Sequence, residues 1–180
     1  MTQLDPNLLM KALSFAANKH RKQFRKGAEP IPYINHPIAV ADLIVHTVKD
    51  SDVETIAAAL LHDTVEDTVT TLEELEAEFG PVIAKLVAEV SDDKNLLKEE
   101  RKRLQVEHAS SLSKRARIIK LADKTCNLRD VVHDPPAGWK LERKQEYFDW
   151  AKRVVDRMGG GINAELEKAF VEAFAARPKS

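Results

Sequence analysis

Apolar residues along this 180-residue chain recur at three- and four-residue intervals, the spacing of amphipathic helices, and no segment alternates convincingly with period two. Asp5 and Pro6 read as an N-cap and first helical residue, with Leu8, Leu9, Ala12, Phe15 and Ala16 on one face behind them. After the turn-rich "KGAEPIPYIN", Pro37 opens a second helix carrying Ile38, Ala41, Ile44, Val45 and Val48. Ser51 with Glu54, and Thr71 with Glu74, have capping-box spacing, so each pair predicts a helix start. The first of these helices runs on through the apolar stretch Ile56 to Leu61 into "HDTVEDT"; the second stops at Gly80, where Pro81 begins another that reaches about Val90. A charged helix near Leu97–Glu107, a long one from about Ser113 to Val132, and two more near Leu141–Met158 and Asn163–Ala176 complete the pattern. "HDPPAGW" and the triple glycine 159–161 punctuate the last three. The pattern predicts an all-α fold, a single compact bundle of roughly eight helices, with boundaries good to about two to four residues.

Charge and cysteine content narrow the setting. Lys and Arg number 28 against 29 Asp and Glu, a formal net charge of -1, so no global field points to nucleic acid or to an anionic membrane, and any basic site has to be local. A single cysteine, Cys126, excludes a disulfide framework and suits a reducing cytosol. The start "MTQLDPNLLM" lacks the basic-then-apolar order of a secretory signal, and no apolar run approaches the ~18 residues of a membrane span. The expectation is a soluble cytoplasmic domain. Nothing in the sequence sets an oligomeric state.

The stretch "AALLHDTVEDT" changes the picture. An apolar run ends abruptly in His62, Asp63, Glu66 and Asp67, and ionisable groups buried without partners would cost several kcal/mol each. On a continuous helix His62 would stack with Glu66 and Asp63 with Asp67, while His62 and Asp63 would both reach an atom lying between their directions. A divalent cation at that point would offset the carboxylates. Two further ligands suggest themselves: His36, just before the helix-opening Pro37, and Asp123, a carboxylate on the apolar face of Ile119, Ala122 and Cys126. Two imidazoles and two carboxylates suit Mn²⁺, Fe²⁺, Zn²⁺ or Mg²⁺ and leave coordination positions open. Taken singly, each residue has a plainer reading: His36 as a helix cap, Asp123 paired with Lys120 or Lys124, Glu66 and Asp67 as solvated residues at a helix end. It is their conjunction that points to a metal.

The order His36, His62-Asp63, Asp123 resembles the H…HD…D signature of the HD-domain phosphohydrolases. More specifically, "HRKQFRKGAEPIPYINHPIAVA", "ALLHDTVEDT", "VSDDK" and "KLADKTCNLRD" resemble the guanosine tetraphosphate hydrolase part of the Rel/SpoT stringent-response enzymes, above all stand-alone small alarmone hydrolases of the metazoan SpoT-homologue type. The likeness runs from about Leu8 to Phe170, which makes residues 1–180 a single HD-type domain with its core in that range. It implies an all-α fold, one Mn²⁺ held by His36, His62, Asp63 and Asp123, and Glu66 and Asp67 as a catalytic acidic pair. It further implies hydrolysis of guanosine tetra- or pentaphosphate (ppGpp, pppGpp), with pyrophosphate leaving the ribose 3′ position. "RKGAEPIPY" is longer than the "RKSGEPY" of many long Rel/SpoT enzymes.

A polyanionic substrate needs local cations. Arg25 and Lys26 match the family's nucleotide-binding "RK", an Arg being suited to stacking on a purine and a Lys to a phosphate. Asn127 lies one turn beyond Asp123 on the same face, placed to contact the ribose or base, and Lys98, Arg143 and Tyr147 match family positions that touch phosphates or nucleoside. Read alone, Lys98 belongs to the charge-rich "LKEERKR", a solvated face, and Tyr147 with Phe148 and Trp150 reads as core. Two other functions stay open at this level. Either the same fold turns over another ribose phosphate, such as the 2′-phosphate of NADPH, or the domain is a non-catalytic nucleotide-sensing module. The presence of both Glu66 and Asp67 counts against the latter.

Overall fold

A computed structural model describes residues 5–179. As the sequence predicts, Asp5 caps the first helix, α1 (Pro6–Lys19), its carboxylate accepting from the amides of Asn7 (2.9 Å) and Leu8 (3.3 Å). Then come α2 (Asn35–Thr47), α3 (Val53–Leu61), a single turn α4 (Thr64–Asp67), α5 (Leu72–Phe79), α6 (Pro81–Val90) and α7 (Lys98–His108). A 3₁₀ turn (Ala109–Ser111) leads to α8 (Lys114–His133), α9 (Leu141–Met158) and α10 (Ala164–Ala175). Among the described residues the only strand-like pairing is an isolated bridge between Phe24 and Pro32, and no helix is long and apolar enough to cross a membrane.

Three expectations need correction. The cap of α3 is Asp52, not Ser51: its carboxylate accepts from the Thr55 amide at 2.9 Å. The second helix starts at Asn35, two residues before Pro37, so His36 lies within the first turn rather than ahead of it. Most consequentially, the helix through Leu61 does not continue into "HDTVEDT". The His62 Nδ1–H donates to the Ala59 carbonyl (2.8 Å) and the Thr64 hydroxyl to the Leu61 carbonyl (2.7 Å), so side chains take the carbonyls that the next helical amides would have used. The chain turns at His62 and Asp63 and restarts as α4.

Helix α3 is apolar on every side, and Ile56 through Leu61 are all buried. It therefore sits at the centre, against α1, α2, α6 and α8. Helix α8 crosses it and is buried from Ile118 to Cys126, a stretch that includes Lys120, Asp123 and Lys124. Helix α9 lies on α8 and carries α7 on its outer side, while α10 covers α8 and α2. The ends of α3 and α2 thus meet the middle of α8 inside the molecule.

Candidate active site

Four sequence-predicted ligands converge at that meeting point. His36 (4% exposed) comes from the first turn of α2, His62 (4%) from the end of α3, Asp63 from the turn that follows, and Asp123 (7%) from the middle of α8. The His36 Nε2 lies 3.1 Å from Asp123 Oδ1 and 3.8 Å from Asp63 Oδ2. The His62 Nε2 lies 3.1 Å from Asp63 Oδ2 and 3.8 Å from Asp123 Oδ1. Since His62 Nδ1 donates to a backbone carbonyl, which can only accept, the neutral ring keeps its lone pair on Nε2. That nitrogen is buried with no hydrogen-bond partner.

One donor atom from each of His36, His62 and Asp123 falls within 4.8 Å of the others. A buried orphan lone pair facing two carboxylates is a poor arrangement for a protein alone and a good one for a divalent cation. The neighbouring charges act strongly on each of these groups. Against the opposing effect of burial, His62 and then His36 hold the Asp63 carboxyl far below its usual range. Burial likewise opposes, and Lys124 and then His36 enforce, a lowering of the Asp123 carboxyl well below the ordinary carboxylate range. Burial would lower the His62 imidazole, yet Asp63 pushes it up to about 9.

Glu66 and Asp67 extend from α4 in different directions. The Glu66 carboxylate accepts from the Asp92 amide (3.2 Å) and faces Arg101 of α7 (3.4 Å). Burial, then the negative charges of Asp92 and Asp63, push it up to about 7. Asp67 accepts from the Tyr33 hydroxyl (2.9 Å) and is paired with Lys94. The same hydroxyl lies 2.7 Å from Asp63 Oδ2, and burial followed by Asp63 and Asp67 keeps it protonated far beyond the ordinary phenol range.

Above this cluster opens a cleft of ≈ 1350 Å³. His36, Glu66 and Asp67 line its floor, and all six predicted substrate residues, Arg25, Lys26, Lys98, Asn127, Arg143 and Tyr147, line its walls. Arg25 is fixed by an ion pair to Asp130 and by donation to Asn127 Oδ1 (3.0 Å), with its guanidinium over the Tyr33 ring at 5.3 Å. The Asn127 amide donates in turn to Asp123, so both ends of this side chain are engaged by the protein and link the Arg25 wall to the His/Asp cluster. Partial burial, then the charges of Arg143 and Lys102, lower the Lys98 ammonium, the signature of cations gathered at one place. Lys98 is indeed exposed, as its charge-rich surroundings predict, but it faces the cleft. Phe148 and Trp150 are core as expected, whereas Tyr147 is half-buried and lies between Trp139 (5.5 Å) and Trp150 (5.3 Å).

The loop bearing Arg25 and Lys26 is closed on itself and tied down. Arg25 N–H donates to the Ile31 carbonyl and Tyr33 N–H to the Gln23 carbonyl (2.8 and 2.9 Å). The Asp134 carboxylate accepts from the Ala28 amide at 2.8 Å, and a β-carbon on Gly27 would lie 1.7 Å from it, so a larger residue there would have to displace that carboxylate. Residues that the sequence did not single out complete the site: Tyr33, Lys94, Arg101 and Trp139; Lys124 pairs with Asp123, one of the two partners the sequence offered for it. Tyr33 sits three positions before His36 in "YINH" and Lys94 closes "VSDDK", which was the signal for both.

An α-helical domain whose buried His and Asp side chains come from a helix mouth, an "HD" turn and a central helix is the plan of the HD domain, and the family model for the HD domain matches residues 12–149. This chain belongs to that family. Among curated relatives, it is 53% identical over 169 residues to the human guanosine-3′,5′-bis(diphosphate) 3′-pyrophosphohydrolase MESH1, with 94% of each chain covered. It is 52% identical over 170 residues to the Danio rerio protein of the same name, again covering 94% of each. A solved structure of a metazoan orthologue of SpoT, described as hydrolysing ppGpp and playing a role in starvation responses, superposes with a TM-score of 0.92 at 47% identity and covers 98% of both chains.

Proposed function

We propose that this chain is a single-domain, cytoplasmic, Mn²⁺-dependent hydrolase of guanosine tetra- and pentaphosphate, releasing pyrophosphate from the ribose 3′ position to leave GDP or GTP. The observation that carries the reading is the junction of a buried His/His/Asp donor set with a cleft whose walls gather Lys26, Lys98 and Arg143. The near full-length likeness to the MESH1 relatives supports the substrate.

In this reading His36, His62, Asp63 and Asp123 hold the ion, which when bound supplies Lewis acidity at the scissile phosphoryl group. Mixed imidazole and carboxylate donors suit Mn²⁺ among the divalent ions. Glu66, with a pKa raised to about 7, is matched to accept the proton of the attacking water near neutral pH. Asp67, fixed by Tyr33 and Lys94, orients that water from the other side. Water oxygen bonds to phosphorus, the bond from phosphorus to the ribose 3′ oxygen breaks, and that oxygen leaves as the 3′-hydroxyl once protonated. Arg25 presents a flat cation to the purine and Lys26, Lys98 and Arg143 bind phosphates, with Tyr147 against the nucleoside and Asn127 securing Arg25.

The test is a product assay with guanosine tetraphosphate and Mn²⁺, run beside NADPH. GDP and pyrophosphate in equal amounts are expected. Stepwise orthophosphate, or turnover of NADPH alone, would reassign the substrate, and binding without turnover of either would make the domain a nucleotide sensor.

A further inference from the structure

Tyr33 occupies a position that the roles above leave unexplained. Its backbone is locked: its amide donates to Gln23, its carbonyl accepts from the His36 amide at 3.0 Å, and the preceding residue pairs with Phe24. Its ring is locked as well, stacked on the buried His20 with centroids 4.8 Å apart and planes 27° from parallel. His20 is itself oriented. The Gln23 amide nitrogen donates to the Asp67 backbone carbonyl, so its oxygen faces His20 and accepts from Nδ1 (2.6 Å). Tyr33, His20 and Gln23 therefore form a small frame that returns to Asp67 by two routes, one through its carboxylate and one through its main chain.

The phenol at the tip of this frame has one proton and two carboxylate neighbours, Asp63 Oδ2 at 2.7 Å and Asp67 Oδ2 at 2.9 Å. Asp63 also touches His62, whereas Asp67 opens onto the cleft. We propose that Tyr33 is a positioning residue whose hydroxyl, held between Asp63 and Asp67, keeps the metal-facing carboxylate and the neighbouring acid in one fixed relation. The proposal rests on the metal and acid assignments made above. A donor to a ligating carboxylate sets the direction of its lone pairs, and loss of such a partner typically weakens metal affinity by about 10–100-fold. The same loss leaves the Asp67 carboxylate with the exposed Lys94 as its remaining side-chain partner among the described residues.

The test is Tyr33→Phe, which removes the hydroxyl and keeps the ring on His20. Equilibrium dialysis with Mn²⁺ alone should show at least about tenfold weaker binding. With guanosine tetraphosphate at saturating Mn²⁺, kcat should fall by about tenfold or more while KM stays within about twofold, because Asp67 acts on the water and not on the nucleotide. Added to Asp67→Asn, Tyr33→Phe should cost little further in kcat. Unchanged Mn²⁺ affinity and kcat would overturn the proposal. So would a loss confined to KM, which would make the phenol a substrate contact, losses that multiply with Asp67→Asn, or a collapsed circular dichroism spectrum, which would make it a structural residue. Because the dialysis uses no nucleotide, it decides the matter even if guanosine tetraphosphate proves not to be the substrate.

Discussion

The Lys124 ammonium lies 3.1 Å from Asp123 Oδ2, the carboxylate oxygen opposite the one that meets His36. Both residues are buried, and the ammonium also lies 4.5 Å from the centroid of the Trp150 ring. Asp123 is thus held from behind by a fixed cation while its other oxygen faces the imidazoles. Removing one partner of a buried pair typically costs about 3–5 kcal/mol, because the other is left uncompensated. Lys124→Met should therefore destabilise the metal-free protein by about that amount, and saturating Mn²⁺ should restore part of it by supplying positive charge on the other side of Asp123. Urea denaturation with and without metal measures both. Equal losses in the two conditions would mean that Lys124 does not act through Asp123.

His62→Ala and Asp123→Ala each remove one of few donors. Both variants should lose the ion and with it all hydrolysis. Elemental analysis after gel filtration is the check, and full occupancy in either variant would strike that residue from the ligand set.

Glu66→Gln and Asp67→Asn retain shape but lose the basic oxygen. Each should fold, keep its metal and bind nucleotide, with turnover at least about a hundredfold slower. The losses should combine less than multiplicatively if both carboxylates hold the same water. Near-normal kcat in both single variants would remove the pair from the mechanism, and a parallel loss of metal would make them ligands or their supports.

Burial and then Asp92 raise Glu66 from 4.5 to about 7 in the folded protein, so the folded state binds this proton more tightly than the unfolded chain. The resulting stability is fully present below the unfolded value and is lost as pH rises through the folded one. In chelator, the native protein should lose stability between about pH 4.5 and pH 7, and Glu66→Gln should lose less over that interval. Thermal melts across the range read the difference directly. Parallel profiles for the two proteins would contradict the assignment.

Arg25→Ala should mainly raise KM, since a stacking and charge contact serves ground and transition states alike. Gly27→Ala should act in the same direction more weakly, by displacing the Asp134 carboxylate that secures the Arg25 loop. Steady-state kinetics with metal content measured in parallel separates both from damage to the floor. Unchanged KM in both would make the loop an ordinary surface feature.

Helices with strong periodicity and clear punctuation were legible at close to residue accuracy. Leu141–Met158 is found as predicted, ending at Gly159 with φ +79°, and Thr71 and Asn163 cap the helices that follow them. The break after Leu61 was not legible, because it depends on the His62 and Thr64 side chains competing with backbone amides, a contest that tertiary surroundings settle. The proposed ligand types were suggested by "NHP", "HD" and "LAD", since ionisable residues on apolar faces demand compensation. Their supports were not. Arg25 meets Asn127 and Asp130 from more than a hundred positions away, and Tyr33 carries its meaning only through where its hydroxyl ends up.

No residue of α7 is fully buried, although this helix contributes Lys98, Arg101 and Lys102 to the cleft. It is secured to α9 by contacts that include the Trp150 indole N–H donating to the Lys102 carbonyl at 3.1 Å. Segments so lightly held open at small free-energy cost, whereas α3 and the centre of α8 open only with the whole molecule. The cleft is accordingly a vice with one fixed jaw and one yielding jaw. Under the proposed function, a bulky polyanion and its two products would pass by bending the α7 side aside, while His36, His62 and Asp123 stay fixed in the buried centre.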